Sequence, residues 1–362
     1  RDSEGRLLGR SALLGPASEE IYIRRNAVPA HAFSETDRLM ARPDEFARDS
    51  QAISATTAWR NWHRKEITPH DGLVRADHPL PQAILGRTQS ASSLRLLLRS
   101  PLGFVWRYGM RLRTPESGAD PLVLDALAMG DLVHMTLDLA LATLEKGGGL
   151  AAADEAQIAG AVQDAAARIA VVWESERAVP PALIWRRTLD DARILTTRAL
   201  TYGDEHLPDA RSFGEVAFGG ATPKADTASP WDSQTPVEIP ATGFRIAGYI
   251  DRLDIAGDGK RALVRDYKTG RPPKDDISLD GGRELQRCLY AFAVKALLGD
   301  DVSISASLLF PRDQVDFQLG DPEATLTEIT GYLQAARANL QSGQALIGPD
   351  TGGAYDDLAF AL

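Results

Sequence analysis

The chain has 362 residues, 44% of them apolar and 25% charged. That composition is globular rather than disordered or fibrous, and the length suits one large domain or two ordinary ones. A formal net charge of −10 argues against indiscriminate attraction to nucleic acid, so any such surface must be a local basic patch, and a single cysteine, Cys288, excludes an internal disulfide and any zinc or iron–sulfur site built from cysteines alone.

The first residue is Arg1 rather than Met, and the chain is expected to be a fragment or a processed piece. Residues 1–89 carry many turn residues (Pro16, Pro29, Pro43, Pro69, Pro79, Pro81) and scattered helical pieces such as 50–65 with Trp59 and Trp62. They are expected to form an irregular arm or linker from a preceding region. From residue 90 the pattern turns helical. Ser92 or Ser93 is placed to cap the helix of SASSLRLLLRS, Pro101 interrupts it, and FVWRYGMRLR follows. Residues 122–146 predict a long helix ended by Gly147, Gly148 and Gly149. Asp125, Asp131, His134 and Asp138 break its apolar run, so no membrane span is expected. No basic-plus-apolar leader opens the chain, and a cytoplasmic location is expected. Residues 151–176 and 181–205 predict two further helices.

The period then switches from 3.6 to 2. Residues 213–218 read as a strand, 221–240 as a loop rich in Pro, Thr, Ser and Asp, and 244–255 with 261–268 as a hairpin around Gly257–Asp258–Gly259. A helix over 283–298, strands over 302–310 and 314–319 and a helix over 325–341 complete the chain. The order points to an α/β protein: a mixed sheet flanked by helices, with a helical insertion before the core strands.

The hairpin carries the chemistry. Alternation puts Tyr249, Asp251 and Leu253 on one face of their strand, and Asp266 with Lys268 on one face of the next. Pairing around the turn sets Asp251 across from Asp266. Two neighbouring carboxylates repel and raise each other's pKa unless a cation lies between them. A hard divalent ion with oxygen ligands, Mg²⁺ or Mn²⁺, fits there. Lys268 is then placed to orient a water or to stabilise developing negative charge. A lone Asp-x-Lys is common and reads as a surface ion pair, with Asp251 paired to Arg252 or Arg261. Here it closes an apolar strand, precedes Thr269–Gly270 and faces an aspartate on the adjacent strand.

This arrangement resembles the PD-(D/E)XK nuclease superfamily, specifically its RecB/AddB-type exonuclease branch. GYIDRLD, VRDYKTG, the ELQRCLYAF helix, the MGDLVHMTLD helix and the leader SASSLRLLLRSPLGFVWRYGMRL match that branch's motifs in order, over residues 90 to about 342. The resemblance implies a restriction-endonuclease-like fold over 90–362, with a helical part over about 90–206 and a catalytic sheet core over about 212–342. It implies Asp251, Asp266 and Lys268 as catalytic residues, and His134, Asp251, Asp266 and the Tyr267 carbonyl as ligands of Mg²⁺ or Mn²⁺. It implies Gln286, Tyr290 and Thr269 as substrate contacts, with Glu215 and Arg252 in support. Many relatives hold an iron–sulfur cluster through a cysteine before the leader proline and three more near the C-terminus. Here the leader reads Arg99–Ser100–Pro101, so no cluster is expected, and the leader should dock by apolar packing through Leu94, Leu97, Leu98, Phe104 and Trp106.

Arg95, Arg99, Arg107, Arg111 and Arg113 interleave with Phe104, Trp106 and Tyr108, a pattern suited to phosphates on arginines and bases on rings. Arg24–Arg25 and Arg186–Arg187 are lesser candidates. No G-x-x-x-x-G-K-(S/T) loop is present. The chain therefore holds no motor of its own, and the resemblance implies a helicase region or subunit as partner. The function implied is a metal-dependent deoxyribonuclease, an exonuclease acting on single strands or duplex ends in double-strand break repair. A stand-alone nuclease of a phage-defence system, a non-catalytic binding module with a nuclease fold, and a metal-dependent hydrolase of small molecules are the alternatives.

Overall fold

The computed structural model describes residues 34, 42–114, 120–202, 207, 209–224, 228–276, 278–353 and 356–359. It divides into two units, residues 1–71 and 72–362. In the first, a helical turn at Pro43–Phe46 precedes α1 (Ser50–Trp62), which is capped by Asp49 accepting from the Ala52 N–H at 2.9 Å.

The second unit begins at Gly72. In it, α2 (Pro79–Leu85) places Ile84 and Leu85 in the main core, and Gln89 bridges to Ile246. α3 (Ala91–Arg99) is capped by Ser90, not by Ser92 or Ser93. Ser90 Oγ accepts from the Ser93 N–H at 3.1 Å and Ser93 Oγ accepts from the Ser90 N–H at 2.9 Å. This is a reciprocal capping box with serine in the usual Glu/Gln place. Pro101 has no N–H to continue the helix. The chain restarts as α4 (Pro101–Phe104) and widens into a π-helical turn, Val105–Gly109.

Three long helices follow. α5 (Ala126–Lys146) starts at the Asp125 cap, which leaves Leu122 and Val123 exposed ahead of it. α6 (Glu155–Glu176) has a second capping box, Asp154 with Gln157, and α7 (Ala182–Thr201) enters after Pro181. Leu132 and Val133 of α5 pack with Ile169, Trp173, Trp185 and Leu195, and the Trp173 and Trp185 rings stack 6.0 Å apart. By length and composition α5 alone among the described helices could cross a membrane; here Leu137, Ala140 and Leu141 pack beneath Tyr267 and Leu309 of the sheet.

The main sheet has the order β1-β4-β5-β6-β7: β1 (Arg211–Phe218), β4 (Gly248–Ile255), β5 (Arg261–Tyr267), β6 (Ser303–Phe310) and β7 (Val315–Gln318). Only the β5–β6 pair is parallel. A parallel pair needs a crossover, and α8 (Gln286–Leu298) supplies it. The single strand expected over 244–255 is split at Ala247, whose N–H turns away to the Gln89 carbonyl at 2.9 Å. β3 (Phe244–Ile246) instead pairs with β2 (Val237–Ile239), a strand inside the expected loop. The main core lies between one sheet face and α3, α8 and α9 (Pro322–Gln341); α5 and α6 cover the other face. The chain is thus a mixed α/β fold with a five-stranded sheet flanked by helices.

Candidate active site

Register alone gathers three carboxylates. β1 and β4 pair Gly214 with Arg252 and Val216 with Ile250, which sets Glu215 across from Asp251. β4 and β5 pair Leu253 with Val264 and Arg252 with Arg265, and one further step sets Asp251 across from Asp266. Three adjacent strands therefore carry one acidic row. The row falls where strand alternation breaks. Phe213 and Val216 both sit in the main core, as do Ile250 and Leu253, although each pair is an odd number of residues apart. Between the first two, Glu215 adopts φ +46°. A left-handed residue inside a strand is strained unless it is Gly.

α5 brings the fourth group. His134 Nε2 lies 3.2 Å from the Tyr267 carbonyl, and Nδ1 lies 3.5 Å from Asp251 Oδ1 and 4.0 Å from Glu215 Oε1. A carbonyl can only accept, so Nε2 carries a proton. Close approach of helix and sheet rests on Gly214: a Cβ there would meet Asp138 Oδ1 at 2.4 Å. Gly130, one turn before His134, is not the contact; its added Cβ would meet only Thr269 Oγ1, at an ordinary 3.6 Å.

Tyr267 ties the parts together. Its N–H donates to Asp251 Oδ2 at 2.9 Å and its hydroxyl lies 3.4 Å from Arg252 Nη1. Arg252 does not enter the site. It is buried beside Asp254, 2.8 Å from Nε, and backs the Tyr267 ring. Lys268 Nζ stands 2.5 Å from Asp266 Oδ2 and donates to Gln286 Oε1 at 2.6 Å, while Gln286 Nε2 reaches the Tyr290 hydroxyl at 3.4 Å. The Thr269 carbonyl accepts from Arg312 Nε at 3.3 Å.

The charges perturb one another. Burial lowers the affinity of His134 for its proton, but Asp251, Asp266 and Glu215 outweigh it and raise the pKa to about 9. Burial pushes Asp251 up; the imidazolium, Lys268 and the Tyr267 N–H overcome that and leave it below the ordinary value. Burial together with Asp251 carries Asp266 up to about 6, against the pull of Lys268. Burial works against the Lys268 ammonium, yet Asp266 and Asp251 hold it above its usual value.

The donor set fits a divalent ion. His134, Glu215 and Asp251 each offer a ligand atom, all within 4.8 Å of one another. Asp266 Oδ2 is taken by Lys268, but Oδ1 is buried without a partner, an orphaned state that is rare unless something else satisfies it. One nitrogen with carboxylate oxygens is a donor set for a divalent metal ion. Glu215 stands closer to this set than its supporting role implied, and Asp266 faces Lys268. Lys224, which no local pattern marks, adds a cation 2.7 Å from Glu215 Oε2.

The leader arginines go elsewhere. Arg99 donates to Asp350 Oδ1 through Nη2 at 2.6 Å and Nε at 3.1 Å, and to the Gly281 carbonyl at 3.1 Å. Arg107 pairs with Asp357, and Ser100 Oγ meets Thr351 Oγ1 at 2.7 Å. Arg99 and Arg107, the candidate phosphate contacts, are ion-paired with Asp350 and Asp357 of a C-terminal strap. The leader therefore docks by this polar clasp as well as by Leu94, Leu97 and Phe104, while Trp106 is only half-buried. Arg95 is exposed, Arg113 donates to the Leu112 and Arg107 carbonyls, and Arg187 pairs with Asp191. Arg24–Arg25 lie outside the described residues.

No curated protein matches the chain. The sequence model of the PD-(D/E)XK nuclease superfamily matches residues 88–352, which takes in the leader, the helix of His134, the acidic strands and the α8 helix. With that match spanning most of its length, the chain belongs to the PD-(D/E)XK nuclease superfamily.

Proposed function

We propose that the protein is a metal-dependent deoxyribonuclease, an exonuclease of the RecB/AddB type that works beside a helicase region or subunit on broken DNA ends. The observation that carries the reading is the meeting of His134, Glu215 and Asp251 within 4.8 Å, beside a lysine held by a third acidic residue. His134, Glu215, Asp251 and the orphaned Asp266 Oδ1 would hold Mg²⁺ or Mn²⁺, with the Tyr267 carbonyl at their edge. When bound, such an ion neutralises charge on the scissile phosphate and lowers the pKa of a water.

The protein's own groups do the rest. Asp266 and Gln286 fix the Lys268 ammonium in place. Held there, Lys268 acts as a preorganised donor toward developing negative charge. The Tyr267 N–H orients Asp251, and Tyr290 braces Gln286 from α8. RecB/AddB character, exonucleolytic action and the helicase partner rest on the motif resemblance, and the exposed Arg95 remains as a phosphate contact. A non-catalytic module is disfavoured, since Asp251, Asp266 and Lys268 are all intact.

The test is cleavage of end-labelled single-stranded and blunt duplex DNA with Mg²⁺ or Mn²⁺. Wild type should cut and Lys268→Ala should lose about 10²–10³-fold in rate while keeping its circular dichroism. Failure of wild type to cut with either ion would sink the reading.

A further inference from the structure

Lys224 lies on the loop that leaves β1 through Gly219 and Gly220, at φ +70° and +100°. Its Nζ is 2.7 Å from Glu215 Oε2 and 5.5 Å from the centre of the Tyr249 ring. The Tyr249 hydroxyl anchors the same loop by donating to the Thr222 carbonyl at 2.7 Å. Half of the Lys224 side chain is exposed, against 11% for Glu215. A long, mobile side chain thus reaches inward to a carboxylate that the strand holds fixed. The other oxygen of that carboxylate faces His134 Nδ1 at 4.0 Å. One carboxylate is split between an imidazole and an ammonium.

Geometry says which cation can leave. An ion held through Glu215 would compete with Lys224 for the same carboxylate. Lys268 is held by Asp266 and Gln286. Lys224 has its head half in water and can turn outward without moving the backbone. A phosphodiester passing the site offers such an ammonium a new anionic partner.

We infer that Lys224 is parked on Glu215 in the metal-free protein and passes to a phosphate of the nucleic acid once the divalent ion is bound, acting as a substrate-binding residue. This rests on the metal-dependent nuclease reading. It makes the lysine's contribution to nucleic-acid affinity conditional on the ion, which a fixed basic patch would not be.

The experiment uses Lys224→Met, which keeps the stem against Tyr249. Mn²⁺ binding is measured by calorimetry without nucleic acid. Oligonucleotide binding is measured by fluorescence anisotropy across a salt series, in the Lys268→Ala background, with Mn²⁺ and with EDTA. Lys224→Met should bind Mn²⁺ about fivefold more tightly, since an internal competitor is gone. With Mn²⁺ present its salt slope for the oligonucleotide should fall by about one. With EDTA it should match its parent. Unchanged or weaker Mn²⁺ binding overturns the inference, and so does a slope that falls equally, or not at all, in both conditions. If wild type itself fails to take up Mn²⁺, the nuclease reading falls together with the inference; if wild type binds and only Lys224→Met behaves as its parent, the nuclease reading stands.

Discussion

Arg287 and Asp266 are both almost fully buried, yet their surroundings differ in kind. Arg287, on α8, donates through Nε to Glu284 at 2.8 Å and through Nη1 to Asp276 at 2.9 Å and the Phe317 carbonyl at 3.0 Å. Glu284 also accepts from the Arg287 N–H at 2.9 Å. That cluster is closed: its donors and acceptors face one another, and it ties α8 to β7. Asp266 is paired through Oδ2 with the Lys268 ammonium at 2.5 Å, but its buried Oδ1 has no partner. Buried carboxylates are normally hydrogen-bonded. A closed cluster has nothing left to offer a ligand, whereas the acidic row keeps acceptor oxygens in reserve, and stability built from the one differs from chemistry built on the other.

The contrast can be broken by mutation. The largest effect should come from Asp251→Asn, which removes a shared ligand charge; cleavage should drop by about 10³-fold with the fold retained, measured as initial rate beside far-ultraviolet circular dichroism. Arg287→Met should do the reverse. Losing one partner of a buried charge network costs about 3 kcal/mol, read by urea denaturation, with the rate per folded molecule unchanged.

Asp266→Asn sharpens the comparison further. Without metal the folded pKa of Asp266 is about 6, above the ordinary 3.8. An acid raised in this way destabilises the fold once ionised. The penalty is absent below the unfolded value and complete above the folded one. The variant should therefore be more stable than wild type at pH 7 in EDTA, by on the order of 1 kcal/mol, with the difference closing as pH falls from about 6 to about 4. Asp251→Asn should show no such gain, because Asp251 lies below its ordinary value and accepts the Tyr267 N–H. Saturating Mn²⁺ should invert the order at pH 7, since an ion at a thousand times its Kd adds about 4 kcal/mol to the state that binds it.

The leader clasp lies outside the acidic row, and its loss should be read in stability alone. Arg99→Ala breaks a pair in which two guanidinium N–H groups share Asp350 Oδ1, with side chains 11% and 30% exposed, and should cost about 2 kcal/mol. Arg107→Ala, facing an Asp357 that is half in water, should cost under about 1 kcal/mol. Thermal unfolding of the two variants side by side checks the order.

Much of this was legible before any coordinates. Asp251 across from Asp266 follows from a short turn, since loop length fixes hairpin register. Lys268 two residues after Asp266, and Gln286 with Tyr290 on one helix face, are likewise local facts. Three features were not legible. The Ser90 cap was missed because its box uses a serine where Glu or Gln is usual. β2 was missed because three residues carry too little alternation to register as a strand. The pairing of Arg99 and Arg107 with Asp350 and Asp357 was hidden because the partners stand about 250 positions away, and no periodicity connects them.

What the sequence determined by itself is the set of groups carried by neighbouring strands and single helix faces, for there spacing along the chain is spacing in space. What only the tertiary structure decided is which groups from distant elements share a charge. His134 reaches the row because Gly214 admits α5, Glu215 turns in because its strand bends there, and Lys224 arrives on a loop with no pattern of its own. Electrostatic energy depends on distance and burial, and across separate elements both are set by packing rather than by order in the chain.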